Sequence, residues 1–145
     1  IINVVSCALW SGASCDFQHK FNEAEIFKLF KSGRINLFMA VPTIYYKLIN
    51  YWNKQSLDEQ RSISYVLNKF RLMVSGSAAL PISTLEEWRK ISGKTLLERY
   101  GMTELGMALT NPYDENKRYP GYVGLPFPRV KVKIVKNYNS IKRNV

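Results

Sequence analysis

The sequence is poor in the side chains that build metal centres and catalytic triads. Its 145 residues include one histidine, His19, and two cysteines, Cys7 and Cys15. The cysteines are not spaced as a zinc pair and no further cysteine or histidine accompanies them, which argues against a zinc centre. No Ser-His-Asp or Cys-His arrangement is visible. We expect His19 to lie in a surface loop and the cysteines to be buried free thiols, which fits a reducing compartment.

Long hydrophobic runs are also missing. No stretch reaches the roughly 18 apolar residues of a membrane span. No charged segment precedes an apolar run in the manner of a signal peptide. The chain begins abruptly in the apolar stretch IINVVSCALW and ends in a polar stretch, and we interpret it as a piece of a longer protein.

Acidic residues are scarce, so the formal charge is +10. From 129 to 145 there are six basic residues and no acidic one. Such a stretch would suit a nucleic acid, but no nucleic-acid-binding module accompanies it, and we expect no nucleic-acid partner. A solvated basic face is the plain alternative, and a positive field would also favour phosphate-bearing substrates.

The hydrophobic pattern predicts an α/β fold with one core. Apolar residues recur at helical spacing in four segments and form short continuous runs in three. The predicted helices cover 21–31, a segment opening at Pro42, 57–69, and a segment from Pro81 to Gly93; the predicted strands cover 35–41, 71–74 and 95–100. Their alternation indicates parallel βαβ units. After a loop at 111–128, the Val/Lys alternation at 130–135 predicts a short, half-exposed β segment at the C-terminal end.

Small and polar residues follow two of these strands, at the edge where parallel sheets bind ligands. SGSAA at 75–79 follows the second strand and would let a flat ring approach the backbone, although alone it also fits an ordinary strand-helix turn. The third strand is predicted to end at Tyr100, with Gly101 breaking it and Thr103 and Glu104 at a strand-to-helix turn. A hydroxyl can donate to a phosphate oxygen, and a carboxylate can hold the accompanying magnesium. The cluster therefore predicts a nucleotide site.

Four motifs together resemble the adenylate-forming (AMP-binding) superfamily, which includes acyl-CoA synthetases, luciferases and nonribosomal adenylation domains. They are VPTIY at 41–45, SGSAAL at 75–80, YGMTE at 100–104 and GYVGLP at 121–126. The resemblance covers the whole chain and implies an incomplete N-terminal adenylation domain. It implies an ATP-dependent acid-thiol ligase, with ATP and Mg²⁺ forming an acyl-adenylate and CoA accepting the acyl group.

The resemblance also implies roles for individual residues. Thr103 would bind the α-phosphate and Glu104 the magnesium, as the catalytic pair, while Tyr100 would stack on adenine. The residues that would border the nucleotide are Ser75, Gly76, Ser77, Ala78, Glu98, Arg99, Gly101 and Met102. The residues that would border the acyl group are Gly101, Met102, Gly106, Ser75, Gly121 and Gly124.

Within the superfamily, the segments at 98–135 and 38–48 are most similar to the malonyl-CoA and methylmalonyl-CoA synthetases. A dicarboxylic substrate needs a fixed cation for its distal carboxylate. The candidates are Lys47 and Arg118. The alternatives are a solvated helix lysine for Lys47, and for Arg118 a loop arginine that pairs with Asp114 or Glu115, a contact that contributes little at a surface.

Three parts of the superfamily's machinery have no counterpart in the sequence. They are the phosphate-clasping loop, the ribose-binding aspartate, and the mobile C-terminal domain with its catalytic lysine. We therefore expect the 145 residues to need the rest of their chain for activity. Two alternatives stay open: a medium- or long-chain acyl-CoA synthetase, and a non-catalytic module that binds phosphate or nucleic acid. Family analogy admits an intracellular, mitochondrial or plastid location.

Overall fold

In the computed structural model, which describes residues 2–135 and side chains from residue 4 onward, helices and strands alternate along most of the chain. The helices are α1 Ile2–Trp10, α2 Glu23–Lys31, α3 Pro42–Asn53, α4 Leu57–Asn68 and α5 Ile82–Ser92, with a short 3₁₀ turn at Glu115–Lys117. The strands are β1 Leu37–Ala40, β2 Leu72–Ser75, β3 Leu97–Met102, β4 Gly106–Thr110 and β5 Leu125–Pro126. Four helices and three strands confirm the predictions made from periodicity. Helix α1 and strands β4 and β5 were not predicted.

The helix ends follow local capping chemistry. The side chain of Asn22 accepts a hydrogen bond of 3.1 Å from the backbone N–H of Glu25, which caps the start of α2 as predicted. Pro42 occupies the first turn of α3, where its missing N–H costs nothing. Gly93 ends α5 in the left-handed conformation at φ 68°, which glycine adopts without strain.

The five strands form one sheet in the order β1-β2-β3-β4-β5. β1, β2 and β3 are parallel, which confirms the βαβ prediction, and β4 and β5 add to β3 in antiparallel fashion. Ala40 pairs with Ser75, and Ser75 pairs with Glu98. The carboxyl ends of β1 and β2 therefore lie side by side, and β3 continues four residues past the Glu98 pairing to Met102.

The core lies where helices α2 to α5 pack together and against the parallel strands. Tyr45 and Trp88 are fully buried and meet edge to face, with ring centroids 4.9 Å apart. The hydroxyl of Tyr45 donates a 2.9 Å hydrogen bond to the carbonyl of Val74 and so ties α3 to β2. A buried hydroxyl with a partner adds to stability, whereas a carbonyl left without one is costly.

We expect Tyr45→Phe to lower the free energy of unfolding by about 1–2 kcal/mol, because the carbonyl of Val74 loses a buried donor. Burial raises the pKa of Tyr45. Its contribution is therefore complete below the unfolded-state pKa of about 10 and is lost as pH rises above that value. Urea denaturation at neutral and alkaline pH measures both effects. Tyr46→Phe is the matched control because Tyr46 is 57% exposed, and equal losses in the two variants would contradict the prediction.

The structure contradicts the prediction that the third strand ends within the YGMTE motif. β3 does not end at Tyr100 but runs through Gly101, and Thr103 and Glu104 lie in a turn that returns into β4. The motif is the tip of a β-hairpin, not a strand-to-helix turn. Gly101 permits this pairing because a Cβ there would overlap the carbonyl oxygen of Gly106 on the returning strand.

Two further predictions were wrong. Residues 131–135 are irregular, because within 2–135 no strand pairs with them, and the C-terminal β segment is instead β5, which pairs with β4. Cys7 is exposed and Cys15 is half-buried, although both are free. Cys7 is exposed because no side chain of α1 from residue 4 to residue 10 belongs to the core; Trp10 of this helix is 95% exposed. The last three basic residues of the predicted basic stretch, Lys136, Lys142 and Arg143, lie outside the described residues.

No helix within the described part of the chain is long and apolar enough to cross a membrane.

Candidate functional site

Two of the predicted motifs meet at the carboxyl edge of the sheet. The turn at 75–80 follows β2, and the hairpin of β3 and β4 extends beyond the edge beside it. The contact is close: a Cβ on Gly76 would lie 3.4 Å from the carbonyl oxygen of Arg99. The sheet therefore brings the residues assigned to the nucleotide on β2 next to those assigned on β3.

The hairpin tip presents polar side chains to solvent. Thr103 and Glu104 are both exposed, and within residues 2–135 neither side chain has a hydrogen bond or ion pair. Tyr100, near the end of β3, is 42% exposed. No group of three potential metal ligands occurs among the described residues, so Glu104 stands as a single carboxylate. One or two carboxylates completed by substrate phosphates are a usual environment for Mg²⁺.

The small-residue turn leaves its backbone accessible. Ser77, Ala78 and Ala79 are exposed and carry only short side chains. Ser77 has φ 69°, a left-handed conformation that non-glycine residues rarely adopt. A flat ligand could therefore lie against the backbone of this turn without meeting a large side chain.

The GYVGLP loop is fixed to the same hairpin from the other side. The backbone N–H of Asn111 donates 2.9 Å to the carbonyl of Glu98, and the side-chain amide of Asn111 donates 2.6 Å to the carbonyl of Tyr122. Gly124 has φ 93°, and a Cβ there would overlap the carbonyl of Thr110. This third motif is therefore held against β3 and β4.

Arg118 organises the segment at 112–118, which precedes that loop, and connects it to Thr95. Its guanidinium donates 2.9 Å from Nε to the carbonyl of Pro112, and its other two nitrogens donate to the carbonyls of Thr95 and Tyr113. Burial lowers the pKa of Arg118 and nearby Glu115, 3.9 Å away, opposes that effect. All three nitrogens are engaged, which favours the alternative of a loop arginine over a cation that faces substrate.

Lys47 lies among the helices. Its Nζ is 5.5 Å from the ring centroid of Phe21, and it lines a surface depression with Glu23, Tyr51 and Lys54. All the residues around this depression belong to α2, α3 or the segments next to them. His19, predicted to lie on the surface, is exposed in the segment before α2.

Arg99 was predicted to border the nucleotide, but the sequence did not predict that its side chain reaches across the sheet edge. One of its terminal nitrogens lies 3.2 Å from the sulfur of Met39 on β1, and its Cγ would be 3.6 Å from a Cβ on Gly76. Its side chain therefore crosses the end of β2 above the glycine. No carboxylate within residues 2–135 pairs with it. Sequence spacing does not predict the contact between Arg99 and Met39, because the two residues are 60 positions apart.

Comparison with known proteins gives a consistent picture. The family model described as AMP-binding enzyme matches residues 1–144. The mitochondrial malonate–CoA ligase ACSF3 of Homo sapiens is 48% identical over an alignment that covers 93% of this chain and 24% of the relative. A malonate–CoA ligase of Arabidopsis thaliana is 35% identical, over 97% of this chain and 24% of the relative. The chain thus spans about a quarter of the length of these relatives.

Solved structures agree with the sequence relatives. ATP-bound MatB from Rhodopseudomonas palustris superposes with a TM-score of 0.72 at 36% identity, over 86% of this chain and 23% of that one. A malonyl-CoA ligase in a ternary product complex with methylmalonyl-CoA and AMP superposes with a TM-score of 0.70 at 31% identity, over 81% of this chain and 24% of that one.

Proposed function

Because this chain belongs to the AMP-binding enzyme family, we propose that it forms part of an ATP-dependent, AMP-forming CoA ligase that activates malonate or methylmalonate. The observation that carries the proposal is the exposed hairpin tip with Thr103 and Glu104 beside the small-residue turn. In the reaction, a carboxylate oxygen of the acid attacks the α-phosphorus of ATP and pyrophosphate leaves. The thiol of CoA then displaces AMP from the acyl-adenylate, which gives the thioester.

The described residues supply one half of a nucleotide site. The turn at 76–78 offers accessible backbone to the adenine, and Tyr100 offers a flat face opposite. The hydroxyl of Thr103 would donate to the α-phosphate, where charge develops in the transition state. Glu104 would hold Mg²⁺ together with phosphate oxygens, and the ion would supply neutralisation of phosphate charge. Exposed, unpaired oxygen ligands fit that hard cation.

Arg99 is the residue we propose for the distal carboxylate of the acid, in place of Lys47 and Arg118. The guanidinium of Arg118 is engaged by three carbonyls, and Lys47 lies among the helices. Arg99 is half-buried at the sheet edge with a thioether as its only side-chain hydrogen-bonding partner in the described part. A guanidinium in such a place gains a strong bidentate contact when a carboxylate arrives.

We further propose that the phosphate-clasping loop, the ribose-binding aspartate and the C-terminal lid domain lie outside these residues. The relatives are about four times longer, since the chain covers 24% of them. The ACSF3 relatives carry mitochondrial names, and we propose that compartment for this protein too.

Pyrophosphate release by the full-length protein with malonate, methylmalonate and octanoate tests the proposal. We expect the two dicarboxylic acids to be preferred, and the isolated 145-residue chain serves as the inactive control. Preference for octanoate would contradict the dicarboxylic assignment and favour a medium- or long-chain synthetase. Salt-sensitive binding to random DNA, without any ATP-dependent reaction, would contradict the enzymatic assignment.

Arg99→Met should lower kcat/KM for malonate by about 30-fold or more, because the distal carboxylate loses a desolvated charged partner worth about 2 kcal/mol or more. The reaction with octanoate, which has no distal charge, should change far less. Arg89→Met is the matched control, since Arg89 is exposed on α5. An equal loss with both acids would show that Arg99 does not read the distal carboxylate.

A further inference from the structure

Glu98 is a buried carboxylate at the sheet edge. It is 5% exposed, and its Oε1 has no hydrogen-bond partner within the described residues. Burial raises the pKa of Glu98, and the nearby backbone N–H groups of Leu80 and Gly121 oppose that effect. A carboxylate is costly to bury unless polar groups compensate, and the dipoles of these two amides reduce that cost.

The two amides belong to different motifs. Leu80 closes the small-residue turn at 75–80, and Gly121 opens the loop at 121–126. The main chain of Glu98 adds a third connection, since its carbonyl accepts from the N–H of Asn111 at 2.9 Å. One residue of β3 therefore lies near backbone amides of both segments that flank the hairpin, and Asn111 connects its carbonyl to that of Tyr122 in the second segment.

Ser75 forms a second buried polar group next to it. Ser75 is 1% exposed, its Oγ has no partner within residues 2–135, and it is the register partner of Glu98 on β2. Laterally paired residues of neighbouring strands project from the same face of a sheet. One ordered water between the hydroxyl of Ser75 and the free oxygen of Glu98 would satisfy both groups.

We propose that Glu98 is a positioning residue, which, with Ser75, fastens the small-residue turn and the 121–126 loop to β3 and so sets their distance from the hairpin tip. The inference rests on the proposed function for its catalytic consequence. Glu98 lies five residues before Thr103 on the same strand and hairpin. It therefore links the surface assigned to adenine, through its pairing with Ser75, with the residues assigned to the α-phosphate, through the strand β3.

The catalytic consequence follows from geometry. A nucleotide held by the turn and by the hairpin tip reacts fast only when the two surfaces keep a fixed separation, since a displacement of about 1 Å can cost on the order of a hundredfold in rate. Loss of Glu98 should reduce kcat at saturating ATP more than it raises the KM for malonate. The acid does not depend on that separation for binding.

The test compares Glu98→Leu, Glu98→Gln and the surface control Glu86→Leu in the full-length protein. Amide hydrogen exchange of the ligand-free protein should increase together at 75–80 and 121–126 in Glu98→Leu and stay unchanged in the control. The kcat for malonate-dependent adenylation should fall by about 10- to 100-fold. Glu98→Gln keeps a carbonyl acceptor for the backbone amides and should recover most of both effects.

Several outcomes would overturn the inference. One is a loss of kcat in Glu98→Leu with unchanged exchange in either segment, which would mean that Glu98 contacts the ligand directly. Another is a fall in kcat of about 10-fold or more in Glu98→Gln relative to the unaltered protein, an outcome that can be measured even if the leucine variant fails to fold. Failure of the proposed function is separate: the unaltered protein would then not activate malonate, whereas the exchange measurement needs no substrate.

Discussion

Glu104→Gln is expected to reduce acyl-adenylate formation by about a hundredfold or more while leaving the fold intact. Glu104 is exposed at the hairpin tip and, within residues 2–135, has no side-chain hydrogen bond or ion pair, so stability does not depend on it. Glutamine keeps the size of the side chain and removes the charge that a magnesium ligand needs. The substitution should therefore reduce catalytic activity without reducing the stability of the fold.

Malonate-dependent ATP–pyrophosphate exchange in the full-length protein measures this loss, with Mg²⁺ varied over a wide range. If Glu104 holds the ion, the variant should require more Mg²⁺ and recover part of its activity at high concentration. Glu86→Gln is the matched control, because Glu86 is exposed on α5, away from the hairpin. Activity within about threefold of the unaltered protein would remove Glu104 from the magnesium role.

The parts of the fold that the sequence predicts are those specified by neighbouring residues. Asn22 and Gly93 cap helices through bonds that reach three or four residues, and the apolar run of β1 identifies a buried strand without its partners. Parallel pairing follows from the alternation of strands and helices. Each of these signals lies within a single element or in its connection to the next.

The hairpin could not be predicted because its signal is a contact between strands. Gly101 has the composition of a strand breaker, yet in the structure it lets the backbone of β3 approach that of β4. The returning strand at 106–110 is short, and its residues carry little alternation between buried and exposed positions. A local pattern does not distinguish a glycine that ends a strand from one that another strand approaches.

The residues of the candidate site also separate into those that a local motif identifies and those that only a long-range contact identifies. Thr103, Glu104 and the small-residue turn are recognisable because each motif is contiguous in sequence. The roles of Arg99 and Arg118 are not recognisable from the sequence, because they depend on partners that are distant along the chain. Arg118 is engaged by carbonyls up to 23 residues away, and Arg99 reaches across β2 to β1. Which cation is left available to a substrate is a property of the folded chain.

Gly101→Ala is expected to remove activity by about a hundredfold or more and to lower the free energy of unfolding by about 3 kcal/mol. The added Cβ would overlap the carbonyl oxygen of Gly106 and lie 3.0 Å from the Cα of Met107. Both are backbone atoms of β4, so no side-chain rotation relieves the overlap. The two strands must separate, and Thr103 and Glu104 at the tip move with them.

Gly33→Ala separates this effect from ordinary glycine strain. Gly33 has φ 69° and no atom within 4 Å of an added Cβ, so alanine there meets only the cost of a left-handed backbone, about 1 kcal/mol. Urea denaturation and pyrophosphate exchange of both variants should show a larger loss of stability for Gly101→Ala and a loss of activity for it alone. If Gly101→Ala kept full activity, the close pairing of β3 and β4 would not be what places Thr103 and Glu104, and the hairpin would tolerate a wider separation than its geometry indicates.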